Sequence, residues 1–363
     1  MPARTMPPVA AALAGAACIS SSAVLMRLAA TSASITALGR CAFALPVLGV
    51  LVLVERRRGA QCLPSRSRWL ARLAGVFLAG DLILWSHSID AIGAGLGTVV
   101  PNLEVLIISL LAWLILGERP RRSLVLASPI MLAGLVLVGG LAGLGGSRAY
   151  GTDPALGVAY GAAVAVLYSI YILTLRQATS PRRPRGAAAT ATASGPRPAV
   201  AGVLFEATAG AAAASMVLGF VLHDFRLGPH PSPWPTLGWL ALLALTSQVI
   251  GWLLITVSMP RLAAGMIGAL LLVQPAGSVA LSYVILGERP SGLQLVGVVL
   301  VLTGVLIAVS RVGPASQETP QSGAPPLASA PAGDRQPAYS RRSTRIIRQA
   351  SAASRQESVS KSP

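Results

Sequence analysis

Apolar residues run for about twenty positions at a time along most of this chain, and short stretches of charge, glycine or proline separate the runs. A helix of about 20 apolar residues crosses the hydrocarbon core of a bilayer. Ten stretches qualify: 9–30, 33–54, 69–89, 94–116, 122–142, 155–175, 200–222, 236–256, 262–286 and 291–310. The breaks carry turn chemistry or charge, as in Glu55-Arg56-Arg57-Arg58-Gly59, Gly145-Gly146-Ser147-Arg148, Pro229-His230-Pro231-Ser232-Pro233 and Met259-Pro260-Arg261. The pattern predicts an all-α integral membrane protein of ten transmembrane helices. Two stretches are too polar to pack. Residues 177–199, with Pro181-Arg182-Arg183-Pro184-Arg185, read as a linker between the sixth and seventh spans, and 311–363 as a disordered basic tail.

Composition agrees. Hydrophobic residues make up 53% and charged residues 11% of 363 positions, with mean hydropathy +0.67. A soluble domain carries roughly 25% charged residues. A soluble enzyme, a wholly disordered chain and a disulfide scaffold are therefore excluded. Cys18, Cys41 and Cys62 are too few and scattered for a disulfide framework or zinc site. His87, His223 and His230 offer no multi-histidine centre. No metal, cofactor or catalytic residue is expected.

The formal charge is +17, which raises nucleic acid as a partner. The cations lie between apolar runs and in the tail, so the bilayer is the better reading and no nucleic acid is expected. With the N-terminus in the cytoplasm, inside segments before the tail hold 15 arginines and outside loops hold 3 (Arg148, Arg226 and Arg289). The bias predicts a multi-pass plasma-membrane protein with both termini cytoplasmic. The first run, although near the N-terminus, is long enough to be an uncleaved span. In the tail, Arg341-Arg342-Ser343-Thr344 and Arg348-Gln349-Ala350-Ser351 resemble sites for basic-directed kinases. The plainer reading is a solvated segment attracted to anionic lipid.

An internal repeat organises the spans. Ile115-Leu116-Gly117-Glu118-Arg119-Pro120 recurs as Ile285-Leu286-Gly287-Glu288-Arg289-Pro290, at an offset of 170. Ala94-Gly95 matches Ala264-Gly265, and Gly134 matches Gly304, at the same offset. The first copy ends the fourth span and the second ends the ninth. Five spans per unit is odd, so the second unit inserts upside down. The units are 9–142 and 155–310. Inverted units can exchange inward-open and outward-open shapes, a transporter signature.

These residues carry a resemblance. Two five-helix units, each with an apolar fourth helix ending Leu-Gly-Glu-Arg, resemble the EamA-type branch of the drug/metabolite transporter superfamily. The instances are Leu111-Ala112-Trp113-Leu114-Ile115-Leu116-Gly117-Glu118-Arg119 and Leu281-Ser282-Tyr283-Val284-Ile285-Leu286-Gly287-Glu288-Arg289. The family often has Glu-Pro upstream of this motif. Here the second half has Gln274-Pro275 and the first has Pro101-Asn102-Leu103-Glu104. The family's common arginine in the second helix matches Arg40. The resemblance implies a ten-helix transporter of metabolites or drugs, often an exporter, acting on amino acids, drugs or other solutes.

Ionisable groups at bilayer depth are costly and mark candidate function. Asp81 and Glu104 lie near the middle of the third and fourth spans, and Arg40 a third of the way into the second. They could line a polar cavity in which Arg40 holds a substrate carboxylate and an acid carries a proton. The plainer reading pairs Arg40 with one acid, Asp81 being the expected partner, as a helix lock. Gln274 sits at the repeat offset from Glu104, each near a proline. Trp85, Trp252, Tyr168 and Tyr171 could line the cavity or serve as packing anchors. Arg27, Asp90 and Glu206 lie nearer the membrane boundaries. Gly117, Glu118 and Arg119, with Gly287, Glu288 and Arg289, read as structural gating elements and not substrate ligands: they cap helix ends and join the fourth helix to the fifth and the ninth to the tenth.

The chemistry favours a secondary transporter with a small-molecule substrate, the bilayer and protons as partners. No Walker A loop appears, which disfavours ATP as direct driver. An integral-membrane enzyme acting on lipid-linked substrates would need clustered acids and histidines in large interfacial loops. A non-transporting scaffold with a regulatory tail is the other alternative.

Overall fold

The computed structural model describes residues 7–60, 62–117, 122–140, 151–179, 200–227, 233–258, 262 and 270–310. They form helices α1 (Pro8–Ala29), α2 (Ala33–Arg57), α3 (Ser65–Ile92), α4 (94–116), α5 (Arg122–Val138), α6 (Pro154–Thr179), α7 (Val200–Val221), α8 (233–258), α9 (Val273–Leu286) and α10 (Gly292–Ser310). Eight are long and apolar enough to cross a membrane, whereas α5 and α9 are shorter apolar helices in their described lengths. Residues 118–121, 141–150 and 263–269, which flank those two, lie outside the described residues, as do 180–199 and 311–363. α6 continues to Thr179, three residues into the stretch expected to be linker, because Leu175-Arg176-Gln177-Ala178-Thr179 has good helix formers and no proline.

Many alanines face inward, beside larger side chains such as Ile89, Ile92, Leu96 and Met131, and many large apolar side chains face outward. Ala11, Ala16, Ala23, Ala37, Ala74 and Ala79 are buried, whereas Phe43, Val50, Leu114, Phe220 and Val284 are exposed. Water would drive the reverse arrangement, but lipid rewards neither, and close helix approach then selects small side chains. α5 and α10 show it most clearly. A Cβ built on Gly134 would lie 2.7 Å from the Gly297 carbonyl oxygen, and one on Gly297 would lie 2.6 Å from that of Gly134. α3 packs against α6 and α7, α2 against α7 and α8, α1 against α8 and α9, and α4 against α6 and α9.

Three helices are irregular at depth. α1 breaks at Ser21, where the Ser21 and Ser22 hydroxyls donate to the carbonyls of Cys18 (2.7 Å) and Ile19 (2.6 Å). α4 tightens into a 3₁₀ turn over Val100–Leu103, where Pro101 has no N–H to give. The Asn102 amide restores the balance by donating to the carbonyls of Thr98 and Val99, both at 3.0 Å. α8 widens into a π-helix over Ala244–Gly251.

The glycines of the repeated hexapeptide have a common cause. Gly117 (φ 71°) and Gly287 (φ 69°) both take the left-handed conformation that ends a helix without a Cβ clash.

Candidate functional site

Eight carboxylates lie among the described residues, and six are committed. Four cap helix starts, where free amides and the positive end of the helix dipole attract an anion. Both Glu55 oxygens accept from Ala201 N–H of α7 at 3.1 Å, Asp224 accepts from Ser34 N–H of α2 at 3.2 Å, and Asp153 from Leu156 N–H of α6 at 3.0 Å. Glu288 accepts from Ala94 N–H at 2.8 Å and Gly95 N–H at 3.1 Å, at the start of α4. Asp90 pairs with Arg27 at 3.0 Å, and Glu206 with Arg68 at 2.8 Å and Arg72 at 2.7 Å. Asp81 and Glu104 remain.

Asp81, on α3, is 6% exposed, and its Oδ1 is buried with no hydrogen-bond partner. Arg40, on α2, is 7% exposed. Its Nε donates to Gln248 Oε1 on α8 at 3.0 Å, its guanidinium lies 5.8 Å from the centre of the Trp85 ring, and its Nη1 is buried with no partner. Arg40 and Asp81 interact electrostatically without forming an ion pair, and Glu104 interacts with Asp81 and Tyr168 in the same way. The expected Arg40–Asp81 pair is therefore corrected: Gln248 takes the arginine's Nε, and the acid stands apart. Glu104, half-buried at the first turn after the 3₁₀ segment, makes no hydrogen bond or ion pair with a described residue.

Trp85 is anchored by donating Nε1–H to the Gly97 carbonyl at 3.0 Å, which ties α3 to α4 and fixes the ring against Arg40. Tyr168 and Tyr171 on α6 touch each other, ring centres 5.6 Å apart, and belong to the same apolar cluster as Trp85. The structure thus brings Arg40, Asp81, Glu104, Trp85, Tyr168 and Tyr171 into one region. Gln274 and Trp252 lie on α9 and α8. Both are half-buried, Gln274 on α9 beside buried Pro275, and Trp252 where the α8 π-helix ends.

One sequence expectation about the repeat motif needs correction. Glu288 joins α9 to α4, not to α10, because Gly287 turns the chain so that the carboxylate enters the protein. Arg289 stays exposed, and Glu118 and Arg119 lie outside the described residues. Sequence reasoning missed Gln248. An uncharged amide within the apolar run 236–256 was the available signal, and the π-helix that widens α8 around it gave none. Among the described residues no group of three His, Cys, Asp or Glu side chains could hold a metal ion.

A bundle of apolar helices with uncommitted charges in its interior is the build of a multi-pass membrane protein that handles a solute. The chain belongs to the EamA-like transporter family, whose pattern matches residues 6–140 and again 155–310. It is a membrane transporter of the drug/metabolite superfamily, built of two EamA repeats. Among solved structures, one described as "Crystal structure of protein" is 20% identical over 83% of this chain and 96% of its own, with a TM-score of 0.51, a likeness of fold alone. No curated protein matches the chain.

Proposed function

We propose that this transporter is a secondary active exporter of a small metabolite, amino acid or drug. It works by alternating access between two inverted five-helix units in the plasma membrane, and is driven by protons. One observation carries the reading: Arg40 Nη1 and Asp81 Oδ1 are both buried, both unpartnered, and belong to one polar region. A buried polar atom left without a partner costs about 1–3 kcal/mol, and more when charged. A solute with an anionic or carbonyl group toward Arg40 and a donor toward Asp81 relieves both. Trp85, Tyr168 and Tyr171 offer aromatic surface beside them. Glu104 carries the proton, and Gln274 is its neutral counterpart in the second unit.

The packing map supports two equivalent units. Exchanging α1–α5 with α6–α10 turns α3·α6 into α8·α1, α3·α7 into α8·α2, and α4·α6 into α9·α1, and leaves α2·α7, α4·α9 and α5·α10 unchanged. Every one of these contacts is present. The arginine bias supports cytoplasmic termini, and the repeat offset supports units 9–142 and 155–310. Reporter fusions at Ser147 and Gly186 test the orientation: external activity is expected only at Ser147, and the opposite result overturns it.

The function is tested with purified protein in vesicles and a panel of labelled amino acids, amines and organic acids. Saturable transport of at least one class, lost in Arg40→Ala, is expected. Transport identical in Arg40→Ala and the unmodified chain would reject the site. The same assay separates a transporter from an enzyme acting on lipid-linked substrates or a scaffold.

A further inference from the structure

The α4–α9 contact is held by groups that can part. α9 ends in a π-helical turn over Ser282–Leu286, and the left-handed Gly287 then sends Glu288 back into the protein, where it is 2% exposed. Its two oxygens take the amides of Ala94 and Gly95, one each. Those amides are in the first turn of α4 and have no partner within their own helix. Beneath them Ser278 donates to Thr98 Oγ1 at 3.0 Å, and Gly95 is packed so closely that a Cβ there would lie 3.0 Å from Val279 Cα. The carboxylate also borders a cavity of about 490 Å³, lined by Met26, Arg27, Ser86, Asp90 and Leu286 among others. Arg27 and Asp90 make an exposed ion pair at its wall. Water in such a space can take over both the carboxylate and the amides, so separation leaves no polar group stranded.

We propose that Glu288 is a latch on the transport path, an inference that rests on the alternating-access reading. It is bonded to Ala94 and Gly95 while the path is shut at this end, and is released into the adjoining cavity when the ends of α4 and α9 separate. Glu55 at Ala201 and Asp224 at Ser34 also join the first and second EamA repeats, but of these three caps it is Glu288 that lines this cavity, so it has a space to be released into as the repeats move. The sequence states the relation twice: at the offset of 170, Glu118 stands to Ala264 and Gly265 as Glu288 stands to Ala94 and Gly95. Those three residues lie outside the described ones, and the inference stands on the Glu288 copy.

The test uses the full chain in detergent, with Cys18, Cys41 and Cys62 changed to alanine and a thiol placed by Ser278→Cys, which is fully buried under the latch. The rate of maleimide labelling reports opening and needs no solute. Glu288→Gln removes the charge and turns one of the two acceptors into a donor, leaving at most one neutral hydrogen bond to the α4 amides, so labelling is expected to rise about tenfold or more. Glu55→Gln, which removes a cap elsewhere in the bundle, should leave the rate unchanged. An unchanged rate in Glu288→Gln, or an equal rise in Glu55→Gln, overturns the latch. If Glu288→Gln does not purify as a single species, Glu288→Asp replaces it with the same expectation, since the shorter side chain cannot reach both amides. Latch-dependent labelling in a chain that moves no solute would overturn the transport reading and not the latch.

Discussion

The ends of the helices and the interior of the bundle use the same chemical group in opposite ways. At the ends, Glu55, Asp153, Asp224 and Glu288 each close a helix start, and every one has its amide within 3.2 Å. In the interior, Asp81 and Glu104 have no hydrogen-bond or ion-pair partner among the described residues, although water is scarcest there. A carboxylate bonded to a helix end stabilises the fold. A carboxylate kept at depth with nothing to bond costs stability, and function is the reason to retain it. Arg40 follows the interior pattern: Gln248 takes one nitrogen and Trp85 one face, yet Nη1 is left open.

If that contrast holds, the two sets separate under mutation. The largest effect is expected from Arg40→Ala and Asp81→Asn, with transport falling on the order of a hundredfold, since each removes a charged contact worth about 2–3 kcal/mol in a dry site. Thermal stability should be unchanged or raised, because an uncompensated buried charge is gone. A large stability loss with transport kept would place these residues among the structural acids. A smaller effect of the opposite kind is expected from Glu55→Gln. It should lose about 1 kcal/mol of stability, the usual worth of a helix cap, and keep its transport rate. Unfolding curves alongside vesicle transport check both at once. The smallest effect is expected from ending the chain near Gly313. The tail has no apolar run, so insertion and transport should match the full chain, and loss of transport at equal expression would make the tail part of the mechanism.

The sequence made the helices legible because lipid leaves the backbone few options, and apolar runs bounded by Gly, Pro and Arg mark their ends. Helix ends moved by a few residues, as at α3, which extends from Ser65 to Ile92 against an expected 69–89. Asp81, Glu104 and Arg40 stood out because charge is rare at depth. Their partners did not. Whether Arg40 meets Asp81 or Gln248 depends on which faces of α2, α3 and α8 turn together, and helices apolar on every side carry no periodicity that sets rotation. Gln248 was hidden twice, by being uncharged and by the π-helix that shifts its register. Glu288 was legible as a helix-end residue, but its true partners, Ala94 and Gly95, are 194 and 193 positions away, beyond any local rule.

The central claim is that an uncommitted interior acid couples solute movement to protons, with Glu104 as the carrier. The direct measurement is pH-gradient-driven accumulation of a transported solute in vesicles, comparing the unmodified chain with Glu104→Gln and Asp81→Asn. The account predicts that Glu104→Gln still exchanges solute across the membrane but no longer accumulates it against its gradient. If both variants keep uphill, gradient-driven transport, carboxylate coupling in this protein is wrong.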